Sequence, residues 1–295
     1  MTSSPSDSRD LLRLGYESYL ERMRAGGLEP DLPYLPYDFA RFWEHTWTHM
    51  GGAMIQGELR DFTNLLNDWQ NRLTKWHAWN CVLVRHNEQD AWGLRKEFLE
   101  ADAHLCLTCP SSIRDALVFV VTNGVHQARL ASEKGYRDYL DGDPTTPGTK
   151  SKQFPRRKRE ERLEALLAPW PEGTIFMSKL RVLDDDSYRN STLDYRNEHS
   201  HAIGPSLEIG VTRFVTRIVR QAFRMVQQAD GTFRDELIAG VMAVSYGFGG
   251  RDPLGTEISR KACLEQFQIA RECFTIYVSI LDTVRQTLPV TGSKH

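Results

Sequence analysis

Apolar residues recur at helical spacing along nearly the whole chain, and this periodicity restricts the fold more than any other feature of the sequence. The clearest case spans residues 211–226, where apolar positions follow the i, i+3, i+4, i+7 pattern of one buried helix face. The same signal covers residues 10–24, 37–55, 58–84, 89–106, 112–140, 184–201, 233–246 and 256–287. Only residues 174–177 and 179–183 look strand-like, and they are too short to build a sheet alone. The sequence therefore predicts an all-α fold.

Glycine and proline mark the predicted helix boundaries. Residues 26–27 are both glycine and end the N-terminal helix, because glycine is too flexible to continue it. Pro110 is followed by Ser112 at the start of a capping-box pattern, which predicts a helix start. The Gly-Pro pair at 204–205 predicts the start of the helix over 211–226.

One segment, residues 141–159, differs in composition from the rest. It carries several glycines and prolines and then the basic run Arg156, Arg157, Lys158 and Arg159. This composition is typical of an exposed basic loop. We therefore expect a single helical architecture over residues 1–295, with a Trp-rich N-terminal part (1–140), the loop (141–159) and a C-terminal part (160–295).

Composition excludes several classes of protein. Hydrophobic residues make up 40% and charged residues 26% of the chain, which excludes a mainly disordered or fibrous protein. Lys and Arg (37) nearly balance Asp and Glu (39), so there is no global polycation of the kind found in many nucleic-acid-binding proteins. Five cysteines favour reduced thiols over a disulfide framework. The longest apolar run, residues 116–121, is far shorter than a membrane span, so we expect a soluble cytoplasmic protein without a membrane partner.

The segment 195–201, with sequence YRNEHSH, concentrates more reactive side chains than any other stretch. Histidine titrates near neutral pH and can exchange a proton with a ribose hydroxyl, and a guanidinium group can hold a phosphoryl group in two hydrogen bonds. On a straight helix, however, residues five apart point about 140° away from each other. Arg196 and His201 would meet only if the helix bends or ends, or if two copies pair.

Arg196, a polar residue after it, and His201 four residues further on resemble the motif of the HEPN superfamily. That resemblance implies a HEPN-like helical bundle, here with additional N-terminal helices, and a metal-independent endoribonuclease of a toxin–antitoxin or phage-defence kind. It implies that Arg196 and His201 are catalytic and that Asn197 and His199 support them. It also implies RNA as substrate, a homodimer, an antitoxin or other regulatory protein as a further partner, and no cofactor or metal.

Basic residues outside the motif are predicted to contact RNA. On a helix over 211–226, the spacing of four, three and four places Arg213, Arg217, Arg220 and Arg224 on one face. Such a face could follow a phosphate backbone. The run 156–159 in the predicted loop could do the same, although both groups also fit an ordinary solvated surface.

Alternatives of other classes remain open. His45 and His49 lie at i and i+4, a spacing that can hold a transition metal, and His104 with Cys106 and Cys109 is a second possible ligand set. A non-catalytic scaffold that binds RNA or protein would also fit the sequence. No glycine-rich phosphate loop or nucleophile elbow occurs, which argues against a nucleotide-dependent enzyme and a serine hydrolase.

Overall fold

The structure is a computed structural model that describes residues 5–290. The chain is mostly helical and contains one two-stranded antiparallel sheet. It divides into two compact units. The helical unit comprises the residues up to Asp194 and those from Thr256 onward, and the hairpin unit is Tyr195–Gly255. This division differs from the predicted one, which placed boundaries around a loop at 141–159.

Within residues 5–290, the helical unit has nine α-helices of very different lengths. Its elements are α1 (Pro5–Ala25), α2 (Ala40–Trp43), α3 (Gly51–Leu83), α4 (Glu88–Leu94), α5 (Glu100–Ser132), α6 (Arg156–Leu167), α7 (Pro171–Val182), α8 (Asp186–Ser191) and α10 (Thr256–Arg285). A π-helical turn, Arg95–Leu99, joins α4 to α5. The predicted helices over 10–24, 58–84 and 256–287 are confirmed as α1, α3 and α10.

The core of this unit lies between α3, α5 and α10, and tryptophan fills much of it. Trp69 and Trp76 of α3 are fully buried. The ring of Trp69 packs edge-on against Phe267 of α10, with centroids 5.5 Å apart, and Phe62 stacks against Phe274. With Trp47 and Trp79, four of the six tryptophans of the N-terminal third are buried, so most of them serve core packing.

Helices α5 and α10 approach most closely at Gly124, where a side chain would overlap the hydroxyl of Tyr277. Tyr277 is fully buried and its hydroxyl donates a hydrogen bond to the carbonyl of Val120, so the ring has no room to move. We expect Gly124→Ala to lower the free energy of unfolding by roughly 1–3 kcal/mol through overpacking. Urea unfolding followed by circular dichroism measures the change.

Gly57 of α3 is the matched control, because it is exposed and a Cβ there would meet nothing within 4 Å. Gly57→Ala is expected to stabilise the protein by roughly 0.5–1 kcal/mol, since alanine favours the helix over the unfolded chain. Equal effects of the two substitutions would contradict the close packing at Gly124.

The hairpin unit corrects the strongest helix prediction. Residues 211–226 and 233–246 are not helices but lie mainly in strands β1 (Val215–Gln227) and β2 (Phe233–Phe248), which pair antiparallel. A tight turn at Asp230–Gly231 connects them, with Gly231 at φ +84°. An Asp-Gly pair between two apolar runs favours a hairpin, and β-branched residues suit strands as well as a helical pattern. The Gly-Pro pair at 204–205 therefore starts no helix.

Other local predictions are also corrected. The strand-like stretches 174–177 and 179–183 lie in helix α7 and the loop after it. Pro110 lies inside α5 instead of before a new helix, and α5 ends at Ser132. The irregular segment after α5 ends before Arg156, so the basic run 156–159 begins helix α6 instead of lying in a loop.

One continuous helical stretch, Glu88–Ser132, is long and apolar enough by composition to cross a membrane. More than half of its most apolar window is buried inside the protein. A core helix of a folded domain has the same properties, so this is weak evidence for a membrane span.

Candidate functional site

The predicted catalytic segment forms a short helix, α9 (Tyr195–His201), at the start of the hairpin unit. Tyr195 is buried, and its ring lies 4.2 Å from the ring of His199, centroid to centroid. Gly204 lies so close to His199 that a side chain there would overlap the imidazole. Tyr195 and Gly204 therefore fix the orientation of His199.

Arg196 is exposed, and its Nη1 donates a hydrogen bond of 2.9 Å to Oδ1 of Asn197. Asn197 lies one helical turn before His201, so these two side chains share a face of α9. Arg196 itself points about 140° away from His201, because α9 is helical through both residues. One chain therefore does not place Arg196 and His201 on the same face of α9.

Arg196 and His201 have no ion-pair partner among residues 5–290, and both are exposed. Most other arginines of the chain that sequence analysis singled out have an acceptor or an aromatic ring beside them. A guanidinium and an imidazole left open on a helix surface remain available to a ligand.

Glu198, which sequence analysis did not single out, connects α9 to the base of the hairpin. Its carboxylate lies 3.0 Å from Nη2 of Arg213 and 2.9 Å from Nη2 of Arg251. Thr212 and Arg251 also exchange backbone hydrogen bonds there. The guanidinium of Arg213, which is predicted to contact RNA, pairs with Glu198, and the RNA contact stays a prediction. The two arginines are too far along the chain from Glu198 for any local pattern to have revealed this.

The predicted arginine stripe does not exist as one face. Side chains alternate between the two faces of a strand, so Arg217 and Arg220 lie on opposite faces of β1. Arg224 pairs with Glu236 on β2 at 2.8 Å, and Arg220 stacks over the ring of Phe223. Of the four, Arg217 alone is exposed without a partner within residues 5–290.

The basic run 156–159 is largely used for structure. Arg156 donates hydrogen bonds to Asp115, Asp184 and Ser111, and Arg159 donates to Asp115. Arg157 pairs with Glu161 on the surface, and the ammonium of Lys158 lies over the ring of Phe154. Arg156 and Arg159 thus connect α6 to the rest of the helical unit, and an RNA contact of this run stays a prediction.

The alternative metal sites are not supported. His45 and His49 lie between α2 and α3, not on one helix, and His49 has a positive φ of 52°. Burial raises the pKa of the Cys106 thiol well above its ordinary value and that of Cys109 to about 12. Within residues 5–290, no group of three or more His, Cys, Asp or Glu side chains could hold a metal ion.

No family model, curated protein or solved structure matches the chain. Similarity to the HEPN superfamily therefore rests on the motif at Arg196–His201 alone.

Proposed function

We propose that the protein is a metal-independent endoribonuclease of the HEPN type, with its active site on α9. The observation that supports this most is the exposed pair Arg196 and His201, with Asn197 hydrogen-bonded to the first and one turn before the second. A guanidinium can bind a phosphoryl group, and an imidazole can move a proton near neutral pH.

In the proposed reaction, the ribose 2′-oxygen attacks the adjacent phosphorus while the bond from phosphorus to the 5′-oxygen breaks. Arg196 binds the scissile phosphate and stabilises its developing charge. His201 moves the proton between the attacking and leaving oxygens, and Asn197 and His199 orient the reacting groups. The products are a 2′,3′-cyclic phosphate and a 5′-hydroxyl, so no water or metal is consumed.

Arg196 and His201 point in different directions on α9, so the proposed reaction needs a way to bring both side chains to one phosphate. Either RNA spans the two side chains around the helix, or α9 of a second copy supplies the other half of the site. In the second case the active enzyme is a homodimer with a composite cleft.

The test is incubation of the purified protein with total RNA in EDTA, followed by end-group analysis of the fragments. We expect cleavage that continues in EDTA and leaves cyclic phosphate and 5′-hydroxyl ends. Fragments with 5′-phosphate ends, or cleavage that EDTA abolishes, would contradict the proposed chemistry.

The second candidate function is a non-catalytic helical scaffold that binds RNA or protein. The exposed apolar surface of the hairpin favours it, because monomeric proteins rarely expose large contiguous apolar patches. Intact RNA after incubation, combined with stable association through the hairpin, would favour this function over catalysis.

A further inference from the structure

The hairpin is long and has no sheet neighbour among residues 5–290. Strands β1 and β2 have 13 and 16 residues, far more than the roughly five or six that are usual. Their sheet contains only two strands, so each strand has one edge with unpaired backbone groups. A two-stranded sheet is marginal in water without a third strand or a packed face.

One face of the hairpin is apolar near its base. Cross-strand pairing places eight residues on this face, of which Arg217 and Gln221 of β1 are polar. We call the six apolar ones the apolar face: Val215, Val219, Met242, Val244, Tyr246 and Phe248. Their exposed fractions range from 47% for Val244 to 79% for Phe248. A surface of this kind is typical of a protein–protein contact.

The two open edges differ in charge. Strand β1 carries Arg217, Arg220 and Arg224 and no carboxylate. In β2, the segment Leu237–Phe248 contains no Asp, Glu, Lys, Arg or Pro, although proteins commonly protect exposed edges with such residues. A second copy approaching β1 edge to edge would meet like charges, whereas one approaching Leu237–Phe248 of β2 would meet none.

We propose that β2 pairs antiparallel with β2 of a second copy, which forms a continuous four-stranded sheet. Within the segment Leu237–Phe248, regular pairing with β1 runs from Met242 to Phe248, and the midpoint of this run is Ser245. A two-fold axis at Ser245 sets Met242 opposite the second copy's Phe248, and Val244 opposite its Tyr246. Sulfur–aromatic and β-branched–aromatic pairs are favourable across strands.

We propose a second copy rather than another partner because the open edge of β2 is complementary to the same edge of a second chain. The register sets no charged residue of β2 opposite a residue of the second copy, doubles the apolar face, and closes at two chains, as two-fold contacts do. This inference does not depend on the proposed ribonuclease activity.

The test uses charges at the proposed axis. Analytical ultracentrifugation of the full chain is expected to give a species of twice the 33.9 kDa chain mass at micromolar concentration. Ser245→Lys and Ser245→Asp each set like charges opposite each other, so each is expected to raise the dimer dissociation constant about fivefold or more. Mixing the two variants in equal amounts is expected to restore dimers, because opposite charges then meet.

Ile218→Lys is the matched control, since Ile218 lies opposite Ser245 within the hairpin but on β1, away from the proposed contact. It is expected to leave the dimer constant unchanged, and circular dichroism checks that all variants fold. A wild-type monomer, or dimers that the Ser245 variants leave unaffected, would overturn the proposal. If the monomer binds an oligoribonucleotide in a way that needs Arg217, the hairpin contacts RNA instead.

Discussion

His201→Ala is expected to slow RNA cleavage by at least about 100-fold while leaving the fold and the affinity for RNA nearly unchanged. A positioned general acid–base contributes roughly 100- to 10,000-fold to a rate. His201 is exposed at the end of α9, so its loss should not disturb packing. Rates come from single-turnover cleavage of a labelled RNA in EDTA, and affinity from fluorescence anisotropy at low temperature.

Arg196→Ala is expected to reduce the same rate by roughly 100- to 1,000-fold, because a donor to the developing charge is lost. Arg13→Ala is its control, since Arg13 is also an exposed arginine on a helix, pairs at the surface with Asp10 and Glu17, and lies outside the proposed site. If His201→Ala and Arg196→Ala both keep wild-type rates, α9 does not carry the chemistry. If all variants lose activity equally, including Arg13→Ala, the effect is not specific to the site.

The second large effect is expected in stability, from two neighbouring arginines. Arg156→Ala should lower the free energy of unfolding by about 3 kcal/mol, because it removes hydrogen bonds to two carboxylates, one of which, Asp184, is buried. Arg157→Ala should change it by less than about 0.5 kcal/mol, since its side chain is 91% exposed and its only ion pair is on the surface. Urea unfolding measures both.

Acid should bring the stabilities of these two variants closer together. Burial alone would raise the pKa of Asp184, but hydrogen bonds from Arg189 and Arg156 outweigh it, so the pKa lies below its ordinary value. The pKa of Asp115 is lowered in the same way by Arg156 and Arg159. This stabilisation is present above the unfolded-state pKa of about 3.9 and is lost as pH falls through the folded-state values. Arg156→Ala should therefore weaken the loss of stability on acidification, and an unchanged acid dependence would contradict this role.

The sequence predicts most of the helical unit but not the hairpin. Helices α3 and α10 are long and strongly periodic, so their apolar stripes identify them without tertiary information. In β1, the residues Val215, Ile218 and Val219 fit a helical stripe as well as a strand, and only the Asp-Gly turn distinguishes the two. Hydrophobic periodicity shows where apolar residues recur along the chain. It does not show whether another element packs against them.

The sequence is equally limited in predicting the contacts of charged residues at the candidate site. Sequence identifies Arg196, Asn197 and His201 as chemically suitable, because they are close along the chain. It does not reveal that Arg213 pairs with Glu198, or that Arg156 pairs with Asp184, because these partners come together only on folding. A basic run in a sequence therefore indicates charge, while its availability to RNA depends on carboxylates elsewhere.

The base of the hairpin has a consequence for how the chain can vary in length. Thr212 and Arg251 hydrogen-bond to each other, so the chain leaves and re-enters this point side by side. When the two ends of a loop are held side by side, the entropic cost of closing the loop changes only slowly with the number of residues in it. The arm from residue 215 to 248 can thus be shortened or replaced by a tight turn while the anchoring of α9 through Glu198 stays intact, which makes it a removable module.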